Sequence, residues 1–158
     1  MPLHIVLVEP EIPPNTGNIA RSCAATGSIL HLVKPLGFSI DDKSLRRAGL
    51  DYWPYVEVKV HESLEEFLAE YADRRDRMFL ATTKGNKTYT EVSFQDGDMI
   101  LFGRETRGLP RELIRENEER TIRIPLSEDT RLRSLNLANS VNIVLFEALR
   151  QMNFPGLA

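Results

Sequence analysis

The sequence predicts an α/β fold with a largely parallel sheet, and three observations carry that prediction. Short apolar runs rich in β-branched residues alternate with segments of helical period along the whole chain. Turn residues such as glycine and proline separate the two kinds of segment. The 158 residues contain no internal repeat and no low-complexity stretch. We therefore expect residues 1–158 to form one domain, with helices flanking a single sheet.

Composition narrows the possible functions. Apolar residues make up 42% and charged residues 27% of the chain, which is the balance of a soluble globular protein. The net charge of −3 does not indicate a nucleic-acid binder, so such a role would need a local basic patch. Cys23 is the single cysteine, which excludes an internal disulfide and a multi-cysteine zinc site. No signal-peptide pattern and no membrane-length apolar run occur, so we expect a cytoplasmic protein without a membrane partner.

The first third of the chain predicts a strand, a rigid loop, a helix and a second strand. Residues 3–8 are apolar and β-branched, as in a buried strand. Three prolines follow, and we expect no helix up to Pro14 because proline and its neighbours favour extended backbone. A helix should run from Asn15 to Gly27, a suitable C-terminal cap. Residues 29–34 form the next predicted strand.

The middle of the chain predicts two further helices and a strand. Asp41 and Asp42 could cap a short helix that Gly49 closes. Residues 52–55 are an aromatic cluster around a proline, predicted to be a loop that either stacks on nucleic-acid bases or packs over the core edge. Residues 56–60 alternate as a half-exposed strand does. A capping box at residues 63–66 opens a helix to about residue 71, followed by a solvated connection over residues 73–77.

The last third predicts three strands and two helices. The strands are expected at residues 78–82, 99–102 and 121–125, with a polar loop at 83–87, a short helix at 111–117 with Pro110 suited to its first position, and a polar hinge at 126–133. Residues 134–136 should open a long C-terminal helix. That helix carries one apolar stripe and a second apolar set at Ile143, Val144 and Phe146. It is therefore either deep in the core or packed against another subunit.

Three loops that follow apolar strands could carry chemistry. In a parallel sheet these loops lie along one crevice, so residues 15–21, 103–110 and 126–136 should converge. The polar side chains they would bring together are Asn15, Arg21, Glu105, Ser134 and Asn136. Amide, hydroxyl and charged side chains of this kind could bind and orient a phosphate or a sugar. Arg21 could equally be a solvated surface residue.

Several common sites are missing from the sequence. His4, His31 and His61 lie in or beside strand runs and are expected to be structural. There is no Ser/His/Asp arrangement, no P-loop, no dinucleotide fingerprint and no metal-ligand spacing, so no metal site is expected. The residues alone leave the function open.

Three segments of the chain resemble known motifs. EPEIPPNTGNIARSCAATG (residues 9–27), FGRETRGLP (102–110) and RSLNLANSVNIVLFEALRQ (133–151) are similar to the three motifs of the SpoU-like branch of the SPOUT RNA methyltransferases. The similarity is greatest to the small group that 2′-O-methylates the wobble nucleotide of tRNA, C or U at position 34. KPLGF, DDKSLRRAGLDY and TTKGN also resemble that group, so the similarity extends over nearly the whole chain.

The resemblance implies a fold, a cofactor and partners. The implied fold is an α/β knot, in which the C-terminal segment threads a loop and S-adenosylmethionine binds in a bent shape. The implied partners are the tRNA anticodon stem-loop and a second copy of the chain, packed through the first and last helices. Cofactor contacts are implied at four positions: Ala81, Gly103, Ile124 and Ser134. Catalytic and substrate-positioning roles are implied at Asn15, Arg21, Glu105 and Asn136, with Ser134 shared between the two sets.

The chain departs from the family pattern at one place. Between Pro125 and Ser134 it is two residues longer than the usual pattern, with Leu132 and Arg133 as the extra pair.

The chemistry of the implied site has one open question, the group that accepts the ribose proton. Arginine is effectively always protonated, so we interpret Arg21 as a clamp on the substrate rather than as a base. The proton of the ribose hydroxyl would then pass to a phosphate oxygen, to water or to Glu105. Methylation of another RNA, such as ribosomal RNA, and a non-catalytic RNA-binding role are the alternatives.

Basic residues are numerous around the second motif. Residues 104–133 hold eight arginines against seven acidic residues, so the segment is not basic overall. Further candidates for phosphate contact are Lys34, Lys43, Arg46, Arg47, Lys84 and Lys87. Most of these side chains are expected to be solvated surface groups.

Overall fold

The structure, a computed structural model, describes residues 1–41, 43, 47 and 50–158. The short helix predicted over residues 41–49 falls mostly outside the described residues, including its proposed cap Asp42 and closing Gly49. Within the described part of the chain, no helix has the length and apolar character needed to span a membrane.

Seven strands and four α-helices are described. The strands are β1 (His4–Val8), β2 (Ile29–Val33), β3 (Val58–His61), β4 (Met78–Ala81), β5 (Lys87–Thr88), β6 (Met99–Phe102) and β7 (Thr121–Arg123). The α-helices are α1 (Pro13–Thr26), α2 (Leu64–Glu70), α3 (Arg111–Glu116) and α4 (Leu137–Gln151). Four 3-10 turns occur, at Leu50–Tyr55, Ala72–Arg77, Glu118–Arg120 and Thr130–Leu132.

All seven strands form one parallel sheet in the order β3-β2-β1-β6-β4-β7-β5. The chain builds outwards from β1 to β3 and then crosses to the other side of β1, so the strand order reverses between β1 and β6. A crevice at the carboxyl ends of the strands, beside such a reversal, is where open α/β sheets bind ligands. The α/β fold with a parallel sheet is confirmed, while the knot implied by the resemblance stays a prediction.

The sheet is covered on both faces, because alternate side chains of a strand point to opposite sides. On one face, Ile5 and Leu7 of β1 belong to a core cluster with buried residues of α1 and α4. On the other face, Val6 and Val8 belong to a second cluster that includes Phe67 of α2 and residues near α3. This arrangement explains why the strands read as continuous apolar runs rather than as an alternating pattern.

Helix α1 begins earlier than the sequence predicts. We expected no helix before Asn15, but the helix starts at Pro13, with Pro13 and Pro14 in its first turn. The prediction was wrong because proline is well tolerated there: its missing N–H would have no intrahelical partner, and its fixed φ suits the helix. Gly27 ends the helix in the left-handed conformation, with φ of 70°, as predicted.

Other boundaries agree with the sequence to within one or two residues. Ser63 caps α2 by accepting a hydrogen bond from the Glu66 N–H at 3.1 Å, which confirms the predicted cap at Ser63. Asn136 caps α4 in the same way, accepting from the Asn139 N–H at 3.2 Å. Pro110 is the N-cap of α3 rather than lying inside it.

Three predictions of irregular structure need correction. The aromatic cluster lies in a 3-10 turn, in which Trp53 packs against the core and Tyr55 is exposed. Residues 73–77 are also in a 3-10 turn, and Arg77 is tied to the buried carboxylate of Asp98 at 2.6 Å rather than solvated. The polar loop after β4 leads into β5, a two-residue edge strand too short to give a periodic signal.

The three histidines form a row across one face of the sheet, one on each of β1, β2 and β3. His4 Nδ1 lies 2.8 Å from His31 Nε2, and His31 Nδ1 lies 2.9 Å from His61 Nε2. All three side chains are buried, and the rings of Phe67 and Tyr71 pack against them. The expectation that these histidines are structural is confirmed, and we refer to the three as the histidine row.

Candidate functional site

A cavity of about 500 Å³ opens at the carboxyl ends of β4, β6 and β7. Its volume lies within the ~300–1,000 Å³ typical of small-molecule sites. Its apolar wall consists of Phe102, Leu109, Ile114, Ile122, Ile124, Leu126, Leu135, Leu137 and Val144. Polar and charged side chains line the rest, among them Asn15, Thr82, Thr83, Arg104, Glu105, Thr106, Arg107, Ser134 and Asn136. An apolar wall with a few converging polar groups is the usual form of a binding site.

Glu105 connects the loop after β6 to the loop after β1. Its Oε1 accepts a hydrogen bond from the Glu11 N–H at 2.9 Å, and its Oε2 accepts from the Ile12 N–H at 3.0 Å. Oε2 also accepts from Asn15 Nδ2 at 3.0 Å. The carboxylate therefore holds three donors of the N-terminal loop and of the first turn of α1.

Asn15 extends this contact to the third loop. Its Oδ1 accepts from Asn136 Nδ2 at 2.9 Å, while Asn136 Oδ1 caps α4. Asn15 does not cap α1, although the sequence suggested that it opens the helix; it lies inside the helix and its side chain is used across the crevice. We call Glu105, Asn15 and Asn136 the crevice network.

A second pair of residues joins the same two loops in the opposite sense. Glu11 Oε1 accepts from the N–H of Thr106 at 3.0 Å and from its Oγ1 at 2.8 Å. These hydrogen bonds lower the pKa of the Glu11 carboxyl from its usual range, with the charges of Arg104 and Arg107 acting in the same direction. Each of the two loops thus supplies a carboxylate that accepts hydrogen bonds from the other loop. These reciprocal hydrogen bonds fix the relative position of the loops.

Gly103 makes the turn after β6 possible. A Cβ atom at this position would lie 2.0 Å from the Gly108 carbonyl carbon and 2.1 Å from the Leu109 nitrogen. The intervening residues form a tight loop, closed by the Gly108 N–H donating to the Arg104 carbonyl at 2.8 Å. Gly108 itself has φ of 70°, which favours glycine. Only glycine at position 103 allows this loop to fold back on its own base.

The four residues implied as cofactor contacts all line the cavity: Ala81, Gly103, Ile124 and Ser134. Ala81 ends β4, Gly103 follows β6 and Ile124 follows β7, so three strand ends supply the wall. The predicted strand over residues 121–125 stops at Arg123, which leaves Ile124 free to face the cavity. Their roles as cofactor contacts stay a prediction.

Leu132 and Arg133, the two residues predicted to be extra, do not displace Ser134 from the cavity wall. Leu132 ends an exposed 3-10 turn that Asp129 opens, and its side chain is 64% exposed. Arg133 lines a smaller neighbouring pocket of about 140 Å³ together with Thr83 and Arg123. That the pair is an insertion relative to the family stays a prediction.

Arg21 is the one predicted site residue that is not in the cavity wall. It lies on the third turn of α1, exposed, with its guanidinium carbon 4.7 Å from the centre of the Tyr52 ring. An aromatic ring under a guanidinium restricts its orientation. The structure therefore brings together Asn15, Glu105, Ser134 and Asn136, while Arg21 lies apart on an exposed helix face.

Sequence reasoning missed two residues of the site, and it weighed Arg104 and Arg107 only among the arginines considered for phosphate contact. Thr106, Arg104 and Arg107 line the cavity, and Glu11 is hydrogen-bonded to Thr106. For Arg104, Thr106 and Arg107 the available signal was their position in the tight loop before Gly108, because a loop that follows a central strand presents its side chains near the crevice.

A parallel sheet with a ligand-sized cavity at its carboxyl edge, built from three strand-end loops and an amide–carboxylate network, defines a cofactor- or nucleotide-binding α/β protein. The chain belongs to the family described as the SpoU rRNA Methylase family, whose model matches residues 2–146.

Relatives and solved structures place the chain more closely within that family. It is 52% identical over 155 residues to the tRNA (cytidine(34)-2′-O)-methyltransferase of Escherichia coli (strain K12), a match that covers 98% of this chain and 96% of the relative. A structure solved for insight into the 2-OH methylation of C/U34 on tRNA is 42% identical, with a TM-score of 0.87 and 96% of both chains covered.

The SpoU methyltransferase AviRb from Streptomyces viridochromogenes, solved in complex with AdoMet, is a more distant relative. It is 25% identical, with a TM-score of 0.84, and the match covers 96% of this chain and 58% of that one. The resemblance read from the three motifs is therefore confirmed at the level of the family.

Proposed function

We propose that this protein transfers a methyl group from S-adenosylmethionine to the 2′-hydroxyl of the wobble nucleotide, C or U34, of tRNA. The observation that carries the proposal is the meeting of three strand-end loops on one cavity, joined by the crevice network. Its full-length relatives named for methylation of cytidine 34 support the choice of substrate. We further propose that the protein works in the cytoplasm, where such a substrate would be found.

The cavity fits the proposed methyl donor in its chemistry. Its apolar side chains suit an adenine ring, and the hydroxyl and amide groups of Thr82, Ser134 and Asn136 suit the polar ribose and methionine parts. When bound, the donor supplies an electrophilic methyl group on a sulfonium, and its positive charge is lost in the reaction. Ala81, Gly103, Ile124 and Ser134 are the residues that would hold it.

Alignment is the main task left to the protein. Methyl transfer to a hydroxyl needs the nucleophilic oxygen in line with the methyl group, so small displacements of the bound groups cost rate. The crevice network fixes the relative position of the loops after β1 and β6 and of the start of α4. We assign Asn15 and Asn136 to this positioning of the substrate ribose and donor.

Glu105 is better suited to position than to accept a proton. Both of its oxygens accept hydrogen bonds, three in total, so both are already engaged in holding the two loops together. Taking up a proton would break part of the link between two loops. Of the acceptors considered, a phosphate oxygen of the RNA or a water molecule then remains for the ribose proton, and Arg21 is assigned to hold the substrate phosphate and 2′-oxygen.

Labelled donor tests the proposed reaction. Purified protein is incubated with tritiated S-adenosylmethionine and with tRNA that carries C or U at position 34, and the product nucleosides are mapped by mass spectrometry. We expect one 2′-O-methyl group per tRNA, at nucleotide 34. Transfer to ribosomal RNA alone would favour the alternative substrate, and no transfer to any RNA would favour a non-catalytic role.

Single-turnover kinetics test the roles of Arg21 and Glu105. Arg21→Lys should reduce the rate by about 100-fold, because a lysine does not reproduce the contacts of a guanidinium. The Kd for the donor should stay within about twofold, because Arg21 lies outside the cavity wall. Glu105→Gln should lower the rate comparably, since an amide cannot accept all three hydrogen bonds. Arg115→Lys, an exposed residue of α3, is the matched control. An Arg21→Lys variant with the rate of the unmodified protein would contradict the assignment.

We also propose that two copies associate through α1 and α4. These two helices pack against each other within the chain, and Phe146 of α4 is 45% exposed. The Oγ1 of Thr16 on α1 and the Oδ1 of Asn142 on α4 are buried without a hydrogen-bond partner among the described residues. Ile143 and Val144 are largely buried, so Phe146 is the part of the second apolar set that faces outwards.

Sedimentation tests the dimer. Phe146→Glu should convert a dimer into a monomer at micromolar concentration, because a charge would replace an apolar contact at the interface. Phe154→Glu, which alters a similarly exposed phenylalanine in the C-terminal tail, should leave the dimer intact. A monomeric unmodified protein would contradict the proposal.

A further inference from the structure

The tight loop over residues 104–108 uses its acidic and hydroxyl groups internally and leaves two guanidinium groups at the cavity. Glu105 and Thr106 are both hydrogen-bonded to the N-terminal loop. Arg104 and Arg107 line the cavity on either side of them, and neither guanidinium has a hydrogen bond or an ion pair among the described residues. The loop thus presents two unpaired cations on a rigid support.

Three other arginines of the same region are engaged elsewhere. Arg120 is paired with Glu119 at 2.7 Å, Arg131 is paired with Asp129 at 2.7 Å, and Arg123 donates to the Gly85 carbonyl at 2.9 Å. The remaining ones, Arg111, Arg115 and Arg133, lie outside the wall of this cavity. Among the arginines of residues 104–133, Arg104 and Arg107 therefore combine an unpaired guanidinium with a place in the cavity wall.

We propose that Arg104 and Arg107 bind two successive phosphodiester groups of the RNA strand, and so hold the target nucleotide over the cavity. This inference rests on the proposed function and names a substrate subsite of that site. A guanidinium is suited to phosphate because its planar fork donates two parallel hydrogen bonds. A chain with a net charge of −3 also needs a local cationic group to hold a polyanion.

The number and placement of the two groups favour an RNA backbone over the carboxylate of the methyl donor. A single carboxylate is satisfied by one guanidinium, whereas a phosphodiester backbone offers one charge per nucleotide. Both arginines line the cavity, and Arg107 is exposed while Arg104 is half-buried. Such a pair offers one cation to solvent and one nearer the cavity interior, as a strand that enters the cavity from solvent requires.

The neighbouring carboxylates do not prevent anion binding. Glu11 accepts two hydrogen bonds from Thr106, and Glu105 accepts three from the N-terminal loop and Asn15. These donors offset part of the negative charge of the two acids. The loop also cannot easily fold away, because Gly103 packs directly against the backbone of Gly108.

Binding of a fluorescently labelled anticodon stem-loop RNA tests the proposal. Arg104→Gln and Arg107→Gln should each raise the Kd for this RNA by about tenfold, the effect of losing one charge-assisted hydrogen-bonded contact. Each should also reduce the slope of log Kd against log salt concentration by about 0.7 to 0.9. Arg115→Gln, which removes an unpaired arginine outside the cavity, should change the Kd less than twofold.

Two further measurements separate the possible outcomes. Arg104→Lys and Arg107→Lys should restore most of the salt slope, because lysine carries the same positive charge as arginine. These variants also test the proposal if a glutamine variant does not fold. The Kd for S-adenosylmethionine should stay within twofold in all variants. A double glutamine variant that binds RNA as the unmodified protein does would overturn the proposal, and so would a weaker Kd for the donor with RNA binding unchanged.

Failure of this proposal is distinguishable from failure of the proposed function. Methyl transfer by the unmodified protein to nucleotide 34, with RNA affinity unaffected in the arginine variants, would remove the subsite and leave the reaction standing. RNA binding that depends on both arginines, without methyl transfer, would support the subsite and remove the reaction.

Discussion

The crevice network and the histidine row are both chains of three side chains, and each chain links three separate segments of the protein. They differ in chemistry and in burial. The crevice network joins loops at the carboxyl edge, and it is built from two amides and a carboxylate. The histidine row lies beneath α2 within the sheet, and its members are buried. The first network is at a ligand-sized cavity, and the second is not.

The difference teaches what each network can do near neutral pH. Amides do not titrate, so the hydrogen bond between Asn15 and Asn136 should not depend on pH over the physiological range. In the histidine row each ring donates to or accepts from its neighbour, and the rings are buried. A proton added to the row would place a charge away from water, which lowers the pKa of His4 and His31. We expect the crevice network to control rate and the histidine row to control stability.

The largest expected effect comes from reversing one contact of the crevice network. Asn15→Asp places a carboxylate against the carboxylate of Glu105, where Asn15 now donates a hydrogen bond at 3.0 Å. Like charges at that distance should separate the two loops and reduce the rate of methyl transfer by about 100-fold, since small misplacements near a reacting group have effects of this size. Single-turnover kinetics measure the loss.

Asn18→Asp is the matched control, because Asn18 is exposed on the same helix. This variant should keep the rate within about twofold. Equal losses in the two variants would mean that added charge on α1, and not the contact with Glu105, is responsible.

The second effect is a loss of stability in acid, which should come from the histidine row. Burial, assisted by the charges of Arg74 and Lys59, lowers the pKa of His4 to about 4. Burial also lowers the pKa of His31 to about 3. Unfolded histidine titrates near 6.5, so below that pH the unfolded chain binds protons that the folded protein does not, and the free energy of unfolding falls as pH falls.

Urea unfolding at pH 7.5 and pH 5.5 measures this effect. At pH 5.5 His4 and His31 should each cost about 1.4 kcal/mol, and from His4 alone the loss should approach roughly 3 kcal/mol by pH 4. His4, His31 and His61 are the only histidines of the chain, so no other histidine contributes. His31→Gln should show a smaller pH dependence. A free energy of unfolding that is equal at the two pH values would contradict this account of the row.

The smallest expected effect on stability is that of a substitution at Asn136, which both caps α4 and contacts Asn15. Asn136→Ser keeps a good helix cap, because a serine oxygen can accept from the Asn139 N–H, but it is too short to reach Asn15. The free energy of unfolding should change by less than about 0.5 kcal/mol while methyl transfer falls about tenfold. A variant that loses stability and keeps its rate would show that the contact with Asn15 is structural only.

Much of the fold could be predicted from the sequence, since strands that are buried on both faces have distinctive apolar runs. The strand over residues 99–102 was predicted to the residue, and the caps at Ser63 and Asn136 had clear local signals. The start of α1 was wrong because proline excludes a helix interior but not a first turn. The edge strand β5 gave no signal, as two residues are too few for a period.

The site was predictable in part, and the rest depended on contacts between distant segments. The convergence of Asn15, Glu105, Ser134 and Asn136 followed from the rule that strand-end loops share a crevice. The exchange of hydrogen bonds between Glu11 and Thr106 joins residues 95 positions apart, and no local pattern announces it. The position of Arg21 over Tyr52, away from the cavity wall, likewise comes from packing of the helix and not from its sequence.

A crystal structure with S-adenosylmethionine bound tests the central claim most directly, namely that the strand-end cavity holds the methyl donor beside the crevice network. We predict that the donor lies in the cavity, in contact with Gly103, Ile124 and Ser134, with its methyl group open to the side from which the ribose arrives. A donor bound at any other place on the protein, with this cavity empty, would contradict the account.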